Sequence, residues 1–126
     1  MVGCAVMPSP PAHRLSIRVD LAGGGRIGPG KIALLEAIAA SGSISAAGRV
    51  LKMSYRRAWE LVEDLNRGLG HPVVTTAAGG SGGGGARLTP TGQRVVAEYR
   101  ALEAATLAAA QPHLAALGEA PPTELD

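Results

Sequence analysis

Three observations predict a mainly α fold carrying a small β-sheet. Residues 43–67 read as two amphipathic helices joined by a tight turn, two short β-compatible runs flank a glycine-rich stretch at 77–85, and a proline-opened helical stretch follows. The residue palette agrees with this class. With 46% hydrophobic residues but no Phe, one Trp and two Tyr, the core must be built from Ala, Leu, Ile and Val, which suits helices better than a sandwich. The 126 residues make one ordinary domain, large enough to bury a core without metal or disulfide staples.

The elements follow in order. Residues 1–12, with Pro8, Pro10 and Pro11, read as a flexible arm. Residues 14–21 alternate polar and apolar, placing Leu15, Ile17, Val19 and Leu21 on one face of a half-buried strand, and the glycines from Gly23 to Gly30 break it. Pro29 fits the first turn of a helix whose apolar stripe is Ile32, Leu35 and Ile38, with Leu34 and Ala39 beside it, and Ser41-Gly42 ends that helix. Ser43 caps a short helix with Ile44, Ala47 and Leu51 inward and Arg49 and Lys52 outward. Gly48 allows a close helix contact. Lys52-Met53 makes the turn, Ser54 caps the next helix, and Ala58, Val62 and Leu65 form its buried stripe, with Trp59 and Leu61 at the margins. Gly68, Gly70 and Pro72 close it. Val73 to Thr76 and Ala86 to Thr89 then form a hairpin with a long mobile tip, a wing. Thr89 caps and Pro90 opens a last helix, with Val95, Tyr99 and Leu102 on one face, continuing to Ala110 and ended or kinked by Pro112. At about 1.5 Å per residue it is a rod roughly 30 Å long, whose surplus apolar surface suits a dimer interface. The expected division is an arm over 1–12, a winged helix-turn-helix over 13–90, a long dimerisation helix over 91–117 and an acidic tail over 118–126.

Charge narrows the function. All twelve Lys and Arg lie between Arg14 and Arg100, with only six of the ten acids, so the body is basic and the acids gather towards the end. Such a body favours a polyanionic partner. Cys4 is single, residues 1–12 lack a signal-peptide pattern, and no unbroken apolar run reaches a membrane span, so a soluble cytoplasmic protein without membrane contact is expected. His13, His71 and His113 are too scattered for metal ligation. Glu60, Glu63 and Asp64 read as a solvated helix face, and nothing resembles a catalytic constellation, so neither an enzyme nor a cofactor is expected. Gly80 to Gly85 satisfies G-x-G-x-x-G, but a strand follows it where a dinucleotide site needs a helix.

The basic residues at 56 and 57 point to double-stranded DNA. A helix N-terminus carries about half a positive charge, so Arg56 and Arg57 in a first turn cost about 0.3 to 1 kcal/mol each unless an anion lies nearby. In a helix-turn-helix the second helix enters the major groove by its N-terminal residues while the first crosses the backbone. Tyr55, Arg56 and Arg57 are therefore the candidate base or backbone readers. Ser43, Ser45 and Ser54, at helix starts, are candidate phosphate contacts, with Lys52 as a phosphate clamp, Arg49 a weaker one, and Arg87 at the base of the wing. The plainer reading pairs both arginines with Glu60. Trp59 reads as core, and Tyr55 as either turn packing or DNA contact.

Ser41-Gly-Ser-Ile-Ser45, Ser54-Tyr-Arg-Arg-Ala-Trp59, Leu65-Asn66, Gly79-Gly-Ser-Gly-Gly-Gly-Gly-Ala86 and Leu88-Thr-Pro-Thr-Gly92 give this chain a further signature. In order and spacing it resembles the N-terminal DNA-binding domain of the ModE family of molybdate-responsive regulators and, more distantly, that of LysR-type regulators. The resemblance covers roughly residues 14–107. It implies a dimeric, sequence-specific transcription regulator linked to molybdenum metabolism. Full-length members add β-barrel modules that bind molybdate and tungstate, so no effector residue carries over, and the sequence is expected to be either a stand-alone DNA-binding member or a truncated form. Two other readings stay open: an oxyanion module in which the glycine loop and basic residues hold molybdate or tungstate, and a protein-interaction module that keeps the fold.

Overall fold

The computed structural model describes residues 13–77 and 85–118. The expected arm, nearly all of the glycine tip and all but the first residue of the acidic tail lie outside the described residues. Two compact units divide the chain, one spanning Ser16–Glu103, the other including the described residues 13–15 and 104–118.

The first unit opens with a hairpin. Strands β1 (Val19–Asp20) and β2 (Arg26–Ile27) pair antiparallel, Val19 opposite Ile27 and Asp20 opposite Arg26. This corrects the expected single strand over 14–21 followed by a glycine break. The alternation holds, since Ile17, Val19 and Leu21 are half-buried and Ser16, Arg18 and Asp20 exposed. Its strand is short because its partner is: φ angles of 101° at Gly24 and 78° at Gly25 reverse the chain, and Gly28 and Pro29 divert it into a helix two residues after β2 begins pairing. Leu21 N–H donates to Gly25 O at 2.9 Å to close the turn. Leu15, expected on the buried face, is 37% exposed.

Helix α1 (Pro29–Ser41) buries Ile32, Leu34, Leu35 and Ile38 completely, and Gly42 ends it, its N–H donating to Ile38 O. Ala39, expected beside the stripe, is exposed. In α2 (Ile44–Val50) Ser43 Oγ accepts from Ala46 N–H at 3.0 Å, while Ile44 and Ala47 are buried. The following turn puts Lys52 at φ 60°, a left-handed conformation that costs a lysine about 1 to 2 kcal/mol. Met53 N–H donating to Gly48 O at 2.9 Å holds it there. Helix α3 (Tyr55–Leu69) begins where Ser54 Oγ accepts from Arg57 N–H at 3.0 Å, and it buries Ala58, Val62 and Leu65, with Trp59 and Leu61 half-buried at the margins.

Strands β3 (Val74–Thr76) and β4 (Ala86–Leu88) form the wing, with Val74 opposite Leu88, Thr75 opposite Arg87 and Thr76 opposite Ala86. Val74, Ala86 and Leu88 face the core, Thr75 and Arg87 the solvent. Helix α4 (Pro90–Gly118) starts at Thr89, whose Oγ1 accepts from Gly92 N–H at 3.0 Å and whose hydroxyl donates to Pro72 O at 2.8 Å. In the first unit α4 buries Gly92 and Tyr99, with Val95 half-buried; Leu102, expected on that face, is 39% exposed.

Tyr99 OH donates to Ile17 O at 2.7 Å, tying α4 to the segment before β1. Tyr99→Phe should lower unfolding free energy by about 1 kcal/mol, read as an earlier urea midpoint at unchanged slope. Arg100 grips Glu36 with two bonds, Nε to Oε2 at 2.8 Å and Nη2 to Oε1 at 2.6 Å, and reaches Glu103 Oε1 at 2.7 Å. That grip holds the Glu36 carboxyl below the usual carboxylate range. A carboxyl depressed on folding stabilises the fold above its unfolded pKa of about 4.3 and loses that contribution as pH falls through the folded value. Glu36→Gln should therefore flatten the decline in urea midpoint below about pH 4.3, while the native protein keeps the steeper one.

In the second unit, α4 passes through Pro112 to Gly118, so of the two expected outcomes, an end or a kink, the end does not occur. Pro112 removes one backbone donor. The alanines around it at 104, 105, 108–110, 115 and 116 carry the strongest helix preference and offset that loss.

Candidate nucleic-acid interface

Two side-chain caps aim the reading head. Ser43 and Ser54 each satisfy an amide at a helix start, which fixes where α2 and α3 begin; Tyr55, Arg56 and Arg57 are exposed in the first turn of α3, and Ser45 in that of α2. Between these starts and the wing lies a groove of about 510 Å³, lined by Ser43, Ser45, Arg49, Tyr55, Trp59, Thr76 and Gly85 among others. Tyr55 is 56% exposed, and its ring meets Trp59 edge-on at 6.4 Å. Trp59 thus has two roles, packing against the core at one edge and lining the groove at the other.

The wing is stitched to this head. Ala86 N–H donates to Gly42 O at 2.8 Å and Ala77 N–H to Gly85 O at 2.9 Å, so the base of the hairpin hangs from the α1–α2 corner. Arg87 lines a smaller depression with Gly42, Thr75 and Thr76.

Of the nine residues singled out in the sequence, Ser43, Ser45, Arg49 and Tyr55 come together in the first groove. Arg87 stands on the wing and Lys52 in the exposed turn. Ser54 caps α3 at an exposed position. Arg56 and Arg57 both approach one carboxylate, Glu60, at 3.5 and 3.4 Å, with side chains 89% and 58% exposed. The ion pairs of the plainer reading therefore form, yet one acid shared by two guanidiniums leaves an unbalanced positive charge at the head of α3. The two arginines part company in direction. At about 100° per residue, Arg57 lies roughly 200° around α3 from Tyr55 and Arg56 midway between, opposite the buried Ala58, Val62 and Leu65. Trp59, Thr76 and the Gly42 carbonyl were not among the sequence candidates. Only Trp59 had a usable signal, its i+4 spacing from Tyr55.

The profile of the bacterial regulatory helix-turn-helix proteins of the LysR family matches residues 30–93, from the start of α1 into α4. The chain belongs to that LysR helix-turn-helix family. It is 52% identical over 81 residues to the molybdenum-pterin-binding protein MopB of Rhodobacter capsulatus, covering 64% of this chain and 30% of that protein. It is 45% identical over 71 residues to the DNA-binding transcriptional dual regulator ModE of Escherichia coli strain K12, covering 56% of this chain and 27% of that one. The chain thus spans about a third or less of these relatives. Among solved structures, the CbnR_DBD-DNA complex superposes with a TM-score of 0.54 at 23% identity, covering 68% of this chain and 94% of that one, which places this LysR-family member in the same fold.

Proposed function

We propose that this LysR-family chain is a sequence-specific, double-stranded-DNA-binding transcription regulator linked to molybdenum metabolism, and not an enzyme. The observation that carries the reading is the convergence of two capped helix starts and a wing on one open, cation-bearing face. Helix α3 enters the major groove. Arg56, on its outward line, grips guanine O6 and N7 with two bonds worth about 1 to 3 kcal/mol of discrimination, while Tyr55 meets the groove edge. Ser43, Ser45, Arg49 and Lys52 meet phosphates, Ser54 holds the start of α3 in position, and Arg87 carries the wing to the neighbouring backbone. The similarity to MopB and ModE supports the molybdenum link.

The active species is a homodimer formed through α4. Leu107 and Leu117 stand exposed along its part in the second unit and supply apolar surface for a second copy. No helix among the described residues is long and apolar enough to cross a membrane. As a regulator of chromosomal DNA the chain acts in the cytoplasm.

Selection from a random duplex pool, followed by mobility shifts between about 50 and 200 mM salt, tests the reading. A defined consensus whose affinity falls steeply with salt is expected. Failure to enrich any sequence overturns it, and sedimentation of the chain as a monomer at micromolar concentration overturns the dimer.

A further inference from the structure

Helix α3 has a second flank. Turned roughly 200° from Tyr55, Arg57 and Leu61 look onto a groove of about 650 Å³ on the far side of the helix from the wing. Arg18, Arg26, Gly28 and Lys31 line its other wall, at β1, β2 and the start of α1. Four cations and one acid, Asp20, thus face one groove. The acidic neighbours are fewer than the cations: Asp20 approaches Arg18 at 3.7 Å, Asp64 approaches Lys31 at 3.9 Å, and Arg57 shares Glu60 with Arg56. Arg26 stands opposite Asp20 across the hairpin but makes no ion pair among the described residues. Lys31 Nζ donates to Arg26 O at 2.7 Å. Its pKa is lowered chiefly by burial; Asp64 opposes that, and Arg26, Arg57 and Arg67 lower it further. Gly28 adds to the deficit by giving α1 an N-terminus without a side-chain cap.

We propose that this groove binds a backbone phosphate of the DNA strand opposite the one met by Ser43 and Ser45. The proposal rests on α3 being the major-groove helix. A helix lying in a groove about 12 Å wide has a phosphate strand along each flank. The flank of Tyr55 and Trp59 faces the α2 start and the wing, so the flank of Arg57 faces the other strand. Arg26 and Lys31 supply the charge there, and the uncapped first turn of α1 supplies peptide amides that suit an oxyanion. Arg57 becomes a strand contact, which leaves Arg56 as the residue aimed at base edges. The β1–β2 hairpin acquires a purpose as the arm that delivers Arg18 and Arg26.

The test is Arg26→Gln in the full chain, measured on the selected operator and on a scrambled duplex over a range of salt. Arg26 is exposed, so the variant should melt with the native protein. Loss of one phosphate contact in each half-site of the dimer should reduce the slope of log K against log salt by about 1.8 and weaken binding about 60-fold at 0.1 M salt, equally on both duplexes. Ethylation interference should lose one phosphate per half-site, on the strand opposite the one met by Ser43 and Ser45. An unchanged slope, or a loss confined to the operator, overturns the proposal while leaving the regulator reading intact. If the native chain binds neither duplex, both fall. Arg26→Glu, which places a negative charge in the groove, should deepen the loss, and equal binding by native and Glu variants refutes the site.

Discussion

Arg56→Ala combined with Arg57→Ala should lower operator affinity roughly 40-fold to 1,000-fold for each half-site engaged, the sum of one lost two-bond base contact and one lost phosphate contact. The fold should not suffer with it. Both side chains are exposed and share a single acid, and exposed pairs of that kind contribute about 0 to 1 kcal/mol. Removing two positive charges from the positive end of α3 relieves about 0.3 to 1 kcal/mol each. A variant that melts no earlier than the native protein but binds DNA orders of magnitude more weakly would separate function from stability. The single variants should differ in kind. Arg56→Ala should erase preference at one base position with a modest change in salt slope, and Arg57→Ala should reduce the slope while leaving the consensus in place. Retained affinity in the double variant would remove α3 from the interface.

Gly92→Ala should act from the opposite direction, on the frame and not the contact surface. A methyl group at Gly92 would overlap Val73 O, with Val73 C at a tight 3.1 Å and Leu88 Cβ at 3.4 Å. The obstruction is backbone, so no side-chain rotation relieves it. The carbonyl it strikes also accepts Thr89 N–H at 3.0 Å, and forcing it aside breaks the bond that seats α4 beneath the wing. Overpacking of this kind costs about 1 to 3 kcal/mol. Urea unfolding should show a stability lowered by that amount, as an earlier midpoint at unchanged slope. Because the displaced segment leads into β3, DNA affinity should fall too, through the wing, without change in the bases preferred. Native stability in this variant would mean that α4 and β3 part more easily than their contact implies.

What was legible in the sequence follows from how local each signal is. The caps at Ser43 and Ser54, the ends at Gly42 and Gly70, and the inward stripes of α1 and α3 depend on neighbours within a turn or two, and each is where periodicity and cap chemistry place it. The start of the chain was less legible. The alternation from Ser16 to Leu21 reports the buried face correctly, but strand length depends on a partner, and Arg26-Ile27 is hidden between glycines and a proline. Pro112 misleads for a related reason, since a helix flanked by enough alanine tolerates it. The far-side groove was invisible because Arg18, Arg26, Lys31 and Arg57 meet only after β1, β2, α1 and α3 have packed. A residue list could identify the cations, but not the side of α3 on which each one stands.

The bond from Ala86 N–H to Gly42 O has a consequence for the duplex itself. The wing is anchored to the corner that also launches α2, and in the proposed regulator this would make the separation between the wing contact and the α2 contact a dimension of the protein. Such a head would then measure as well as read. A site with the right bases but an over- or underwound helix would present its phosphates out of step with this gauge, so local twist becomes part of what is recognised.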